Sequence, residues 1–146
     1  MTSTEPVRPS TAEEGSAAVE FVMLSSLLLI PLVYFLVALA QVQAAAYATL
    51  GAADQASKMY TAPGDVSAQD RAARSDAAAA QALADFGIDS SQARVTRQCP
   101  DGCDTEGGIV IYTVEVRVPL PLIPQVAGWE HTLVTVSTTS AQVQNP

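Results

Sequence analysis

The sequence predicts an α+β fold, with a long amino-terminal helix, a second short helix and a small antiparallel sheet of about three strands. Three observations support this prediction. The chain has no charged residue from Phe21 to Ala40, its small and apolar residues recur at helical spacing as far as Tyr60, and apolar–polar alternation begins at Ile109. Because the helical patterns come first and the strand patterns follow, the sheet should be antiparallel and packed on the helices.

The long helix is predicted to begin at Ser16 or Ala17 and to end near Tyr60, before a Pro-Gly pair. No charge follows Glu20 until Asp54, so a membrane-spanning helix of about 20 residues fits, which predicts a single-pass membrane protein. At 1.5 Å per residue the helix would measure about 65 Å, so its outer half is expected to project as a stalk. The predicted organisation is a leader over residues 1–15, a transmembrane and stalk helix over 16–60, and a head domain over 61–146.

The head domain is predicted to contain one helix and three strands. Ser67 precedes Asp70 by three residues, a variant of the capping box that starts a helix, and the Ala-rich stretch after it continues to Phe86. The alternating segment predicts a strand with one buried face and one wet face. Strands are expected at residues 93–98, 109–118 and 132–139.

Composition argues against several classes of function. The chain has 15 acidic and 7 basic residues, a formal net charge of −8 and no Gly-rich phosphate loop, so nucleic acid and nucleotides are not expected partners. His131 is the only histidine, and no catalytic set can be argued from spacing, so we expect no enzyme activity, no cofactor and no metal site.

Three carboxylates close in sequence could bind calcium, although a solvated acidic turn is the preferred interpretation: Asp101, Asp104 and Glu106.

The most informative motif lies directly before the apolar run. Gly15 is followed five residues later by Glu20, and Phe21 opens the uncharged segment. In a secretory signal the cleavage site follows the apolar region, whereas here the glycine precedes it. A cut between Gly15 and Ser16 would remove a polar leader and keep the helix. A carboxylate deep in a bilayer costs about 2.5–3.5 kcal/mol, so Glu20 is expected to have a functional partner, and an amine is the natural one.

This motif resembles the processing site of type IV pilins and pseudopilins, in which Gly-x-x-x-x-Glu stands before an apolar helix. The segment from Gly15 to Thr49 is similar to the TadE-like proteins of the tight-adherence pilus system, and the paired cysteines and the VRVPLPLIP segment also resemble the longer members of that family. The leader departs from the usual basic pattern, because Glu13 and Glu14 stand beside the glycine and Arg8 is its only cation.

The resemblance implies a non-enzymatic, pseudopilin-like protein that takes part in assembling a tight-adherence pilus for adhesion and surface colonisation. It implies cleavage after Gly15 by a membrane prepilin peptidase, and association with other pilin subunits and the pilus assembly platform. Glu20 and Phe21 would act in assembly, with Glu20 pairing with the freed amine of Ser16 on a neighbouring subunit. The alternative is an uncleaved, single-pass anchored module whose extracytoplasmic head binds a surface ligand.

The two cysteines bear on the compartment. Cys99 and Cys103 flank Pro-Asp-Gly, a turn sequence that could bring their Cα atoms within the range of about 4.4–6.8 Å that a disulfide needs. A redox motif normally has two residues between its cysteines and zinc would need two further ligands, so a structural disulfide is preferred among these three interpretations. An oxidised pair favours a head outside the cytoplasm and a cytoplasmic amino terminus.

A last segment, from Pro119 to Pro124, alternates proline with large aliphatic residues. Proline donates no hydrogen bond to a sheet, so an extended crossover or edge segment is expected. Together with Val126 and Trp129 this segment would either pack on its own domain, which is the preferred interpretation, or form an apolar patch for a partner subunit.

Overall fold

The structure, a computed structural model, describes residues 11–119 and 133–144 of the 146-residue chain. It has an α+β fold, which confirms the predicted fold class. The elements in chain order are α1 Thr11–Thr61, α2 Ala68–Ala84, β1 Ala93–Gln98, β2 Ile109–Pro119 and β3 Leu133–Val143. The chain divides into two compact units, Met1–Val37 and Ala38–Pro146, and the second is named the head unit here.

Helix α1 begins earlier than the sequence interpretation expected. It starts at Thr11 rather than near Ser16, so residues 11–15 are helical and the prediction of an unfolded leader is wrong for them. The sequence does carry a signal for the earlier start, because Ser10 is followed three residues later by Glu13, the pattern of a capping box. Acidic residues in a first turn also interact favourably with the positive end of the helix dipole.

The two helices meet through a short connection with a defined cap. Helix α1 ends at Thr61, close to the predicted end at Tyr60. Ser67 is the N-cap of α2, and its hydroxyl oxygen accepts a hydrogen bond of 3.2 Å from the backbone N–H of Asp70. This contact satisfies a donor that the first turn leaves unpaired, and it confirms the predicted capping signal.

Helix α2 is shorter than predicted because a left-handed turn stops it. It ends at Ala84 rather than at Phe86, and Gly87 follows with φ of 71°. The N–H of Gly87 donates to the carbonyl of Ala84, and the N–H of Ile88 donates to the carbonyl of Leu83. These two hydrogen bonds form a Schellman motif, which fixes the direction in which the chain leaves the helix.

The three strands form one antiparallel sheet in the order β1-β2-β3. β1 has the predicted bounds, β2 ends one residue later than predicted, and β3 runs to Val143 rather than Thr139. At the middle of the sheet Val114 pairs with Val95 on one side and Thr138 on the other. The predicted alternation of β2 is confirmed, since these side chains of one face are buried: Val110, Tyr112, Val114, Val116 and Val118.

The core of the head unit lies between this face of β2 and the two helices. Helix α1 contributes small side chains at three- and four-residue spacing, all of them buried: Ala45, Ala48, Thr49, Ala52, Ala53, Ala56 and Ser57. The larger side chains come from the sheet, and Tyr60 adds one more at the end of the helix face. Small residues facing large ones allow the two layers to interdigitate at close distance.

Two hydroxyl pairs join α1 to β3 within this layer. The Oγ1 atoms of Thr49 and Thr138 lie 2.9 Å apart, and the Oγ atoms of Ser57 and Ser140 lie 3.0 Å apart. The hydroxyls of Thr49 and Ser57 also lie within hydrogen-bond distance of backbone carbonyls of their own helix. Each hydroxyl has one proton, so in this arrangement the β3 hydroxyls donate and the α1 hydroxyls accept.

We predict that enlarging a small residue of this helix face destabilises the head unit. Ala52 is fully buried, whereas Ala46 is exposed on the same helix. Ala52→Leu should lower the free energy of unfolding by about 1–3 kcal/mol, because added methyl groups must displace the sheet. The matched variant Ala46→Leu should change it by less than about 0.5 kcal/mol. Denaturant unfolding of the full chain in detergent micelles measures both, and equal stabilities would contradict the described contact.

Candidate functional site

The residues predicted to act in processing and assembly all lie on α1. Gly15, Ser16, Glu20 and Phe21 are helical and exposed. Gly15, Ser16 and Glu20 border the same shallow hollow, together with three apolar neighbours: Val19, Met23 and Leu24. Ser16 and Glu20, four residues apart, lie on the same face of the helix, and Gly15 borders the hollow from its edge.

The glycine of this motif is not required by the fold. A Cβ added at Gly15 would meet no atom within 4 Å outside the adjacent helical backbone. Glycine inside a helix is less favourable than alanine by about 1 kcal/mol, so Gly15 weakens the helix without relieving any contact. Its presence is more readily explained by a requirement that lies outside the folded chain.

An apolar surface follows the motif along α1. The most apolar 18-residue window of Gly15–Thr61 has a mean hydropathy of 2.5, and none of it is buried in the structure. Leu27 and Leu28, for example, are more than two-thirds exposed. Exposed apolar surface of this extent marks interaction with a membrane or with another protein. By length and composition the helix could cross a membrane.

A second group of polar side chains is centred on the buried residue Tyr112 of the head unit. Nη1 of Arg97 donates to the hydroxyl oxygen of Tyr112 over 3.2 Å, and the Tyr112 hydroxyl pairs with the hydroxyl of Ser75. Ser75 in turn donates to the carbonyl of Ala72 over 2.8 Å. The chain of donors therefore runs from Arg97 through Tyr112 and Ser75 to the α2 backbone. The hydrogen bond to Tyr112 raises the pKa of Arg97 above its ordinary value.

Tyr60 connects this group to the cysteine loop. The guanidinium carbons of Arg71 and Arg97 lie 5.5 Å and 4.9 Å from the centre of the Tyr60 ring, within the range of cation–π contact. The Tyr60 hydroxyl donates to the carbonyl of Cys103 over 3.2 Å. Helix α1, strand β1 and the cysteine loop are thereby held at one buried tyrosine.

The cysteine loop contains the predicted disulfide. Cys99 is bonded to Cys103, and their Cα atoms lie 5.1 Å apart. Gly102 has φ of 95°, which the turn requires and which non-glycine residues rarely adopt. The carbonyl of Cys103 also accepts a 2.8 Å hydrogen bond from the side chain of Gln144. The loop is thus fixed both to α1 and to the chain that follows β3.

The acidic residues of this loop are largely engaged within the protein. Asp104 forms a 2.6 Å ion pair with Arg71, and Asp101 accepts a 3.4 Å hydrogen bond from the backbone N–H of Ile109. Glu106 is exposed. Among residues 11–119 and 133–144, no three Asp, Glu, His or Cys side chains are arranged to hold a metal ion together. The solvated-turn and calcium interpretations of this loop both remain predictions.

A polar cavity of about 210 Å³ lies beside the same loop, at the end of α1. Arg71 and Gln144 line it, and within the described ranges Nε of Arg71 and Oε1 of Gln144 are buried without a hydrogen-bond partner.

Several predicted features fall on residues that the structure does not describe. His131 lies outside the described ranges, as do Val126, Trp129 and all of the Pro119–Pro124 segment except Pro119 itself. Pro119 ends β2 and is exposed. The two interpretations of the proline-rich segment therefore remain predictions.

Sequence reasoning missed the buried polar group around Tyr112. Two signals were present, since Tyr112 is the only hydroxyl-bearing residue on the buried face of β2 and Tyr60 ends the small-residue face of α1. A buried tyrosine needs a partner for its hydroxyl. The identity of the partners could not be read from the sequence, because Ser75 lies 37 residues and Arg97 lies 15 residues from Tyr112.

We predict that the disulfide stabilises the head unit. Replacing both Cys99 and Cys103 by serine should lower its free energy of unfolding by about 2 kcal/mol, the chain-entropy value for so short a loop. Thermal unfolding of the full chain with and without a thiol reductant provides the measurement. The double variant serves as the control, because a reductant should not affect it, and an unchanged transition in the unsubstituted chain would contradict the prediction.

Comparison with protein-family models, with curated proteins and with solved structures found no match to this chain. The established features are an α+β fold, a long apolar helix that could span a membrane, and a disulfide between Cys99 and Cys103. Membership of the TadE-like family is accordingly a proposal that depends on the residues of the amino-terminal motif.

Proposed function

We propose that this protein is a minor pilin or pseudopilin of the TadE-like type, cleaved after Gly15 by a prepilin peptidase and used in assembling a tight-adherence pilus. One observation carries the proposal. Gly15, Ser16 and Glu20 border one exposed hollow on α1, directly before a long exposed apolar surface. Such processing and assembly need a removable leader, a retained apolar helix and a carboxylate at the start of that helix.

Cleavage after Gly15 requires the peptidase to open the start of α1. The Gly15–Ser16 bond lies in the second turn of the helix, which begins at Thr11. Helix termini open at little cost in free energy, and a glycine lowers that cost further. Gly15 therefore supports cleavage by easing local unwinding and by leaving room for the enzyme at the scissile bond.

Glu20 supports assembly through its charge. Cleavage would leave a positive amine on Ser16 at the positive end of the α1 dipole, which is unfavourable. Glu20 would carry its negative charge into the apolar surface, which is also costly. Pairing the amine of one subunit with the carboxylate of the next relieves both costs, so the pair favours association between copies over a dispersed monomer.

The proposed topology places the amino terminus in the cytoplasm and the head unit outside it. The disulfide supports this orientation, because such bonds persist in oxidising compartments and are rare in the cytoplasm. The partners in this proposal are the membrane, the prepilin peptidase, other pilin subunits and the assembly platform. The exposed apolar surface of α1 would first lie in the bilayer and then pack against other subunits.

A second candidate function is an uncleaved membrane-anchored binding module. The observation that favours it is the position of the Gly15–Ser16 bond inside α1 rather than in an extended segment. In that case Thr11 would remain the start of a permanent anchor, and the head unit would bind its ligand without entering a fibre. The amino terminus of the mature protein distinguishes the two functions.

We predict that the mature chain starts at Ser16 and that Gly15→Val blocks this processing. Valine should leave the fold intact, since a side chain at Gly15 meets no neighbour, but its bulk should obstruct the peptidase. Gly51→Val is the matched control, because Gly51 is also helical and an added Cβ there also meets no atom within 4 Å. Intact-mass measurement of the membrane fraction gives the result. An unsubstituted chain that still starts at Met1 or Thr2 would refute cleavage and favour the anchored module.

We also predict that Glu20→Ala impairs assembly without impairing membrane insertion. Losing one member of a buried charge pair leaves the other charge unpaired, so the amount of protein in sheared surface fibres should fall roughly tenfold or more. Glu20→Gln removes the charge but keeps the shape of the side chain, so it should behave like the alanine variant. Glu5→Ala is the control, because residue 5 lies in the leader that cleavage removes. Normal fibre content in the Glu20 variants would remove the proposed pair.

A further inference from the structure

An apolar groove of about 260 Å³ lies at one end of the head unit. One wall is formed by Gln41, Ala44 and Ala45 of α1, and the others come from the turn after α2 and from the end of β2. Gln41 directly follows Ala40 and is the first amide or charged side chain after Glu20. The groove therefore begins where the most apolar part of α1 ends.

Phe86 is held at the edge of this groove by a rigid turn. The Schellman motif at Gly87 fixes the backbone on both sides of it, through hydrogen bonds to Leu83 and Ala84. Phe86 is nevertheless 50% exposed, and Ile88 on the other side of Gly87 is half-buried beside it. A large aromatic side chain fixed at a rim and left half in solvent indicates a surface that meets something apolar.

The end of β2 lies at the same groove. Pro119 is exposed there and is the register partner of Leu133, so the last residue of β2 and the first residue of β3 lie side by side at this end of the sheet.

We infer that this end of the head unit rests on the lipid surface, with Phe86 and Pro119 at the boundary between headgroups and acyl chains. If the span ends at Ala40, then Gln41 lies in the headgroup region, and Ala45 is only about 6 Å farther along the helix. Apolar faces of interfacial elements lie about 5–10 Å into this boundary, where aromatic side chains are enriched. The groove is thus within reach of the bilayer in any orientation that keeps Gln41 at its surface.

The charges around the groove indicate how the contact is made. Arg117 lines the groove and can pair with lipid phosphates, whereas Asp85 and Asp89 flank the Phe86 turn on the other side. These charges form no large positive patch, so attraction to anionic lipid is not the main contribution to the free energy of membrane contact. The contact is made by the apolar rim, and it should therefore form on neutral phosphatidylcholine as well as on anionic lipid.

This inference rests on the membrane span of the proposed function, and it does not depend on cleavage or on pilus assembly. The test uses the full chain with Trp129→Phe, which removes the only tryptophan of the sequence. A single tryptophan is then introduced at a chosen position, and its emission reports the surroundings of that position. Phe86→Trp probes the rim, and Pro119→Trp is a second probe across the groove in case the first variant fails to fold. Gln41→Trp marks the end of the span. Ile109→Trp is the matched negative control, because Ile109 is 41% exposed at the opposite end of β2.

Each variant is reconstituted into phosphatidylcholine vesicles with or without brominated acyl chains, and tryptophan emission is compared. The rim probes and Gln41→Trp should lose about half of their emission or more in brominated lipid, as expected for interfacial depth, while Ile109→Trp should lose little. Quenching at Gln41 without quenching at either rim probe would overturn the inference and leave the span intact. Absence of quenching at Gln41 would refute the span itself, and the inference with it. A blue shift of the rim probes that depends on protein concentration, without quenching, would identify a second copy as the occupant and also overturn it.

Discussion

The packing of the small-residue face of α1 on the large-residue face of β2 is the contact on which the rest of the head unit depends. Alanines such as Ala48 and Ala52 are fully buried yet add little apolar area of their own. Their contribution is to let the helix backbone come close enough for Val114 and Tyr112 to be covered completely. Because the helix is so close, the hydroxyls of Thr49 and Ser57 reach β3 and fix the third strand. A larger side chain at the centre of this face would separate all of these contacts together.

Helix α1 carries two kinds of surface along one continuous sequence. Before Val37 its large side chains are exposed, whereas after Gln41 one face of small side chains is buried against the sheet. The difference follows from the neighbour that each surface meets. Small residues suit a sheet of the same chain, which can be approached closely, whereas large aliphatic residues suit a bilayer or a bundle of similar helices.

The amino-terminal motif and the head unit support the proposed function by different physical arguments. At the motif, a glycine that the fold does not need stands near an exposed carboxylate, which indicates roles outside the single chain. In the head unit, the hydroxyls of Tyr60 and Tyr112 are hydrogen-bonded within the protein. These contacts connect two helices, two strands and the disulfide loop, so they are best understood as stabilisation. The proposed pilin role accordingly depends on the motif.

The sequence by itself determined the order and type of the elements, the cap at Ser67, the buried face of β2 and the disulfide of Cys99, because each depends on spacing within a few residues. It also contained the motif of Gly15 and Glu20. Helical periodicity predicts which residues of α1 lie beside each of them. Only the tertiary structure decided that Tyr112 bonds to Ser75 and Arg97, that Thr49 meets Thr138 across 89 residues, and that Phe86 is left at the edge of a groove. These are contacts between distant segments, and the free energy that selects them comes from packing the layers together, which no local pattern records.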